Sequence, residues 1–126
     1  MFLDFKNKKL EIVKHEILSP KSDHIIVMLH EGLGSVKMWR DFPKALANKL
    51  NISAFCFSRF NYGDSDFYDS PYDIDFMHKE AELLVSLFEQ ISAKKIFLLG
   101  HSDGASIALL AGLKMKNIEG IIAIAP

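Results

Sequence analysis

The sequence predicts an α/β fold: a mostly parallel sheet with helices on both faces, opened by an antiparallel hairpin. Three observations point that way. Ile25-Ile26-Val27-Met28-Leu29 and Lys95-Ile96-Phe97-Leu98-Leu99 are short, nearly unbroken apolar runs, the pattern of strands covered on both sides. The segments between such runs carry a helical period. Both runs end in glycine-bearing loops, which is where open α/β sheets gather their ligands.

The elements follow in order. Phe2 to Phe5 and Leu10 to Leu18 read as two strands joined by the polar turn Lys6-Asn7-Lys8-Lys9, their mixed alternation suiting an edge with one wet face. After the run at 25–29, Trp39 to Leu50 reads as an amphipathic helix interrupted near Pro43, a residue suited to the first turn. Ala54-Phe55-Cys56-Phe57 is the next apolar run, and Tyr68 to Ile74, with Pro71, reads as loop. Asp75 to Ser92 is the best helix, with Phe76, Leu83, Leu84, Leu87, Phe88 and Ile91 on one stripe. The run at 95–99 leads into a small-residue helix, Ala105 to Ala111, starting immediately after Gly104. Lys116 to Gly120 then reads as a turn holding Glu119, and Ile121 to Ala125 as a last strand. There is no repeat, linker or low-complexity tract, so residues 1–126 read as one domain.

Composition narrows the function classes. Of 126 residues, 49% are hydrophobic and 25% charged, with a formal net charge of −1, which leaves no electrostatic case for nucleic acid or an anionic membrane. No apolar stretch approaches the roughly 18 residues of a spanning helix, and charge breaks the first residues too early for a secretory signal. Cys56 is the single cysteine and lies in an apolar run, so it reads as a buried structural thiol, and the chain as cytoplasmic. The histidines lack metal-ligand spacing, and no dinucleotide or P-loop fingerprint occurs, so no metal and no cofactor are expected.

Gly100-His101-Ser102-Asp103-Gly104 carries the chemistry. A serine hydroxyl is a weak nucleophile until a base takes its proton and the group stands clear of its own strand. A tight strand-to-helix turn holds such a serine out, in a strained conformation, and glycines two positions to either side relieve crowding. The amide of Asp103, at the helix start, would face negative charge developing on a substrate. The plainer alternative is a helix start with Ser102 as an ordinary N-cap. An oxyanion site needs two donors, and His30-Glu31-Gly32-Leu33-Gly34-Ser35, at the end of another strand, is placed to supply the second.

With Leu29 to Ser35, Ser58-Arg59-Phe60-Asn61-Tyr62-Gly63-Asp64-Ser65 and Gly100 to Gly104, the chain resembles the α/β-hydrolase superfamily along its whole length. In that family these segments are the oxyanion loop, an arginine-containing turn and the nucleophile elbow. The resemblance implies an incomplete α/β-hydrolase fold acting on a small-molecule ester, amide, lactone or related acyl substrate. Ser102 would be the nucleophile, and the amides of Asp103 and of Gly32 or Leu33 would hold the oxyanion. Gly100, His101 and Gly104 would shape the elbow, and His30, Glu31 and Gly34 would line the loop. Two residues depart from the family pattern: Glu31 and Asn61 stand where glycine is usual. Asn61 tolerates positive φ, and Glu31 is expected to point away from the anion site.

In the family's chain order the triad acid and histidine follow the serine, but the 24 residues after Ser102 hold no histidine and, beyond Asp103 of the elbow itself, a single acid, Glu119. The acid and base of the triad are therefore expected to be missing and the isolated chain inactive, with His30 and His101 stabilising their loops. A last strand at the sheet's edge suggests self-association or a complementary C-terminal polypeptide. The alternatives are a non-catalytic α/β binding or assembly module, or one half of a split enzyme.

Overall fold

The computed structural model describes residues 1–18, 23–69, 73–90 and 95–126. Six strands form one sheet: β1 (Phe2–Phe5), β2 (Lys8–His15), β3 (His24–Leu29), β4 (Ser53–Phe57), β5 (Lys95–His101) and β6 (Ile118–Ile124), ordered β1-β2-β4-β3-β5-β6. β1 and β2 pair antiparallel, as do β2 and β4, whereas β4, β3, β5 and β6 run parallel. Three helices, α1 (Phe42–Leu50), α2 (Phe76–Gln90) and α3 (Asp103–Gly112), make the connections.

The period of two along each strand sorts side chains onto the two faces. Val27, Leu29, Phe55, Phe57 and Leu98 face α2 and α3, where they meet Leu84, Leu87, Phe88, Ile107 and Ala111. Ile26, Met28, Cys56 and Leu99 face the other way, towards Val36, Trp39 and Leu46 of α1. Both faces of β3 and β4 are thus covered, which is why those runs are apolar without alternation. Phe55 meets Phe88 edge to face at 5.8 Å, a geometry that adds about 1 kcal/mol to the area each ring buries.

Boundaries shift where tertiary context outweighs local pattern. The hairpin turn is two residues, not four: Lys6 and Asn7 both take positive φ (52° and 60°), so β2 begins at Lys8. The stretch expected as one helix from Trp39 is a 3-10 turn, Val36–Trp39, followed by α1, which has Pro43 in its first turn as expected. α3 begins at Asp103, one residue before Gly104, and ends at Gly112. β6 starts at Ile118, so Glu119 lies in a strand rather than a turn, 4.0 Å from His24 at the start of β3. The end of the predicted long helix, including Ile91 and Ser92, and Pro71 of the preceding loop lie outside the described residues.

β6 pairs only with β5 among the described strands, and it leaves Ile122 and Ile124 exposed at 55% and 45%. Cys56 is buried, and burial pushes its thiol up to about 12. Among the described residues no helix is long and apolar enough to cross a membrane.

Candidate functional site

The carboxyl ends of β3, β4 and β5 bring three loops together. At the end of β5 the chain turns into α3 through Ser102, whose backbone sits at φ 54°, ψ −118°. That conformation is strained for a residue with a Cβ and costs about 1–3 kcal/mol. Ser102 makes no side-chain capping bond to the helix it precedes, so the N-cap reading fails. Its amide donates to the Ile124 carbonyl of β6 at 2.8 Å, and its own carbonyl accepts from Ala105 and Ser106. The corner is therefore fixed through the main chain, and the hydroxyl is left without a hydrogen-bond partner among the described residues.

Crowding dictates the two elbow glycines. A Cβ on Gly100 would run into the backbone of Gly104 and Ala105, and a Cβ on Gly104 would run into the carbonyl oxygens of Leu29 and His30. The elbow thus packs directly against the chain leaving β3. His101 is the last residue of β5, paired with Ile124 and half-buried. Replacing Ser102 with glycine would release the strained φ/ψ at the cost of a more flexible unfolded chain. Ser102→Gly is therefore expected to raise the urea midpoint, by about 1 kcal/mol of stability. A lower midpoint would show that the corner is unstrained.

The loop after β3 is built around one carbonyl. Glu31 C=O accepts from His30 Nδ1 at 2.7 Å, from the Gly34 amide at 3.1 Å and from Arg59 Nη2 at 3.4 Å. The Arg59 amide also donates to His30 Nε2 at 3.0 Å. Because a backbone N–H can only donate, Nε2 must be unprotonated and the ring proton must sit on Nδ1. His30 is 1% exposed. Burial, opposed by the Glu31 carbonyl and reinforced by the Arg59 charge, lowers its pKa to about 4. Both ring nitrogens are occupied, so His30 secures the loop and does not reach Ser102.

This geometry separates Gly32 from Leu33. Every peptide bond here is trans, so C=O and N–H of one peptide point in opposite directions. With Glu31 C=O held inwards, the Gly32 N–H is turned outwards, and it has no hydrogen-bond acceptor among the described residues. The Leu33 amide is occupied: it donates to Glu31 Oε2 at 3.2 Å. The Glu31 side chain folds back over its own loop because the neighbouring amide offers the carboxylate a partner, and Gly34 leaves room for its other oxygen. Gly34 is buried within the loop. A Cβ on Gly32 would lie 2.5 Å from Asp103 Oδ2, which places the two loops side by side. The Asp103 amide, first in α3, has no acceptor either.

The turn after β4 supports this constellation. Asn61 takes φ 73° and ties the turn with reciprocal bonds to the backbone of Tyr68. Sequence reading missed Glu11 and Glu80. Glu11, on β2, is buried and accepts from Ser58 Oγ at 2.6 Å and from the Asp64 amide at 3.1 Å. Its signal was a carboxylate between Leu10 and Ile12, in a strand with no polar face there. Asp64 pairs with Lys37 and Asp66 accepts from the Lys9 amide, so neither is set to orient a base. His15 pairs with Ala54 and His24 with Lys95, at the opposite end of the sheet from Ser102, and His78 is exposed on α2.

An alpha/beta hydrolase family model matches residues 26–126, most of the chain and all three loops. The chain belongs to the alpha/beta hydrolase family. Among relatives of this chain is the serine hydrolase BPHL of Homo sapiens, 35% identical over 100 residues that cover 77% of this chain and 33% of the relative. Ethanol acetyltransferase 1 of Kluyveromyces marxianus is 34% identical over 89 residues, covering 71% and 23%. The chain therefore spans about a third or less of the length of these relatives. In fold it is similar to the alpha/beta hydrolase MGS-M2 from a Medee basin deep-sea metagenome library, with a TM-score of 0.76, 24% identity, and coverage of 96% of this chain and 42% of that one. It is equally similar to the esterase EaEST from Exiguobacterium antarcticum, with a TM-score of 0.76, 22% identity, and coverage of 95% and 42%. The alpha/beta hydrolase fold is thus present here up to its sixth strand.

Proposed function

We propose that this chain carries the nucleophile and the oxyanion donors of a serine hydrolase acting on an ester, amide, lactone or related acyl substrate. The supporting observation is the apposition of a strained, unpartnered Ser102 with two unoccupied amides, those of Gly32 and Asp103. Ser102 Oγ attacks the acyl carbon, and the oxygen that becomes negative is held by the two amides, which are already aimed and need no reorganisation. The tetrahedral adduct collapses with cleavage of the bond to the substrate's alcohol or amine, which leaves with the proton given up by Ser102. Water then cleaves the acyl–serine ester to release the acid and restore the hydroxyl. The name of the ethanol acetyltransferase relative indicates that an alcohol can take the place of water on this fold.

The Ser102 proton needs an acceptor. None of the five histidines is placed to take it: His30 is sealed, His101 serves the strand end, and the other three lie at the far end of the sheet or on the outside of α2. The reading therefore assigns base and acid to a further polypeptide segment, and the 126 residues alone are expected to turn over p-nitrophenyl acetate no faster than Ser102→Ala. Serine-dependent turnover would place a base within them.

The nucleophile itself is tested without a base. 4-Fluorophenylboronic acid adds to a serine hydroxyl to give a tetrahedral anion: a B–O bond forms and the hydroxyl proton leaves to solvent. Fluorine NMR is expected to show this adduct with the chain and not with Ser102→Ala. The absence of serine-dependent binding would favour the second reading, a non-catalytic binding or assembly module.

A further inference from the structure

Arg59 is a charged residue inside the core. It is 2% exposed, and its guanidinium Nη1 stands 3.7 Å from Oε2 of Glu80 on α2, itself 8% exposed. The guanidinium lies over the Tyr62 ring at 4.5 Å and within 5.9 Å of Phe76. Arg59 and Glu80 border a cavity of about 20 Å³ that Leu29, Phe57 and Leu87 also line, too small for any acyl group. The pair is therefore not a substrate site.

Nor is the pair well made as a stabilising bridge. Its separation exceeds hydrogen-bond distance, and Arg59 Nε and Nη1 are buried without hydrogen-bond partners. Buried ion pairs with unsatisfied donors commonly contribute less than apolar residues of the same size. The hydrogen bond that the guanidinium does make goes to the Glu31 carbonyl, in the peptide whose N–H belongs to Gly32. Through its own amide Arg59 also fixes His30, the other side chain holding that carbonyl.

We propose that Arg59, anchored by Glu80, is a positioning residue that aims the Gly32 amide at the oxyanion. The inference rests on the serine-hydrolase reading. α2 supplies the carboxylate, the turn after β4 supplies the arginine, and the planar Glu31–Gly32 peptide converts a grip on its oxygen into a direction for its N–H. Loosening the grip lets that peptide rotate, and a misaimed donor stabilises a tetrahedral anion less.

The test uses the full chain and 4-fluorophenylboronic acid, with the Gly32 amide followed by proton–nitrogen NMR. Arg59→Met is expected to weaken serine-dependent boronate binding about tenfold, part of what loss of a whole oxyanion donor costs, and to shift the Gly32 amide signal. Arg59→Lys, which keeps the charge and a donor, should recover part of both, and Glu80→Gln should fall between wild type and Arg59→Met. A purely structural role would lower the urea midpoint and leave both readouts in place. Should Arg59→Met fail to fold, Glu80→Gln decides, since it preserves shape. Serine-dependent binding that is unchanged in Glu80→Gln and any folded Arg59 variant, with an unmoved Gly32 signal, overturns this proposal alone. No serine-dependent binding in wild type overturns the hydrolase reading and this proposal with it.

Discussion

Gly104→Ala is expected to lower the unfolding free energy by about 4 kcal/mol, at the damaging end of single substitutions. The added methyl meets no flexible side chain; it meets the carbonyl oxygens of Leu29 and His30. β3 is hydrogen-bonded to β4 on one side and β5 on the other, so its end cannot retreat without breaking ladder bonds on both flanks. Since domains of this kind are stable by only about 5–15 kcal/mol, such a loss removes a large share of the margin. Gly120→Ala is the control. There the Cβ would stand 3.2 Å from a carbon of the Phe97 ring, which can give way, and a cost within about 1 kcal/mol is expected. Urea denaturation followed by circular dichroism measures both. A Gly104→Ala midpoint equal to that of Gly120→Ala would mean that the elbow does not press on β3.

Acid is expected to destabilise the chain well before its carboxylates titrate, through His30. Its pKa falls from 6.5 in the unfolded chain to about 4 in the fold. A folded value below the unfolded one means that the unfolded state takes up the proton first. The stability linked to His30 is therefore complete above pH 6.5 and is lost as pH falls towards 4. Between pH 7.5 and pH 5 the loss is about 2 kcal/mol. The structural reason is direct: a proton on Nε2 would face the Arg59 N–H, donor against donor. Glu80, whose carboxyl burial raises, works in the opposite direction, so the comparison is with His30→Asn, which keeps a donor for the Glu31 carbonyl and cannot be protonated. Urea midpoints at the two pH values should fall further for wild type than for His30→Asn. Equal falls would show that the imidazole is not sealed.

The fold was readable wherever one physical constraint governed a segment. The buried runs of β3 and β5 had to be apolar on both faces, and the glycines at 100 and 104 had to lack side chains, so each was visible in sequence. Boundaries set by pairing partners were not: β6 reaches back to Ile118 because β5 offers it a ladder from Ile96 onwards, a fact of register that composition does not record. At the proposed site, the strained corner at Ser102 and the helix start at Asp103 were legible because the elbow is local. The choice between Gly32 and Leu33 was not, since it turns on where a neighbouring carboxylate folds and on which way a peptide faces. Glu80 was hidden for a related reason: a carboxylate within a helix carries no local mark of burial, and its partner lies 21 positions away in the turn after β4.

The amide of Ser102 is tied to Ile124, on the outermost strand of the sheet. The stiffness of the corner is consequently borrowed from a border. Whatever clasps that border lends rigidity to residue 102, and whatever peels it away lets the strained φ/ψ relax and the hydroxyl swing out of line with its two waiting amides.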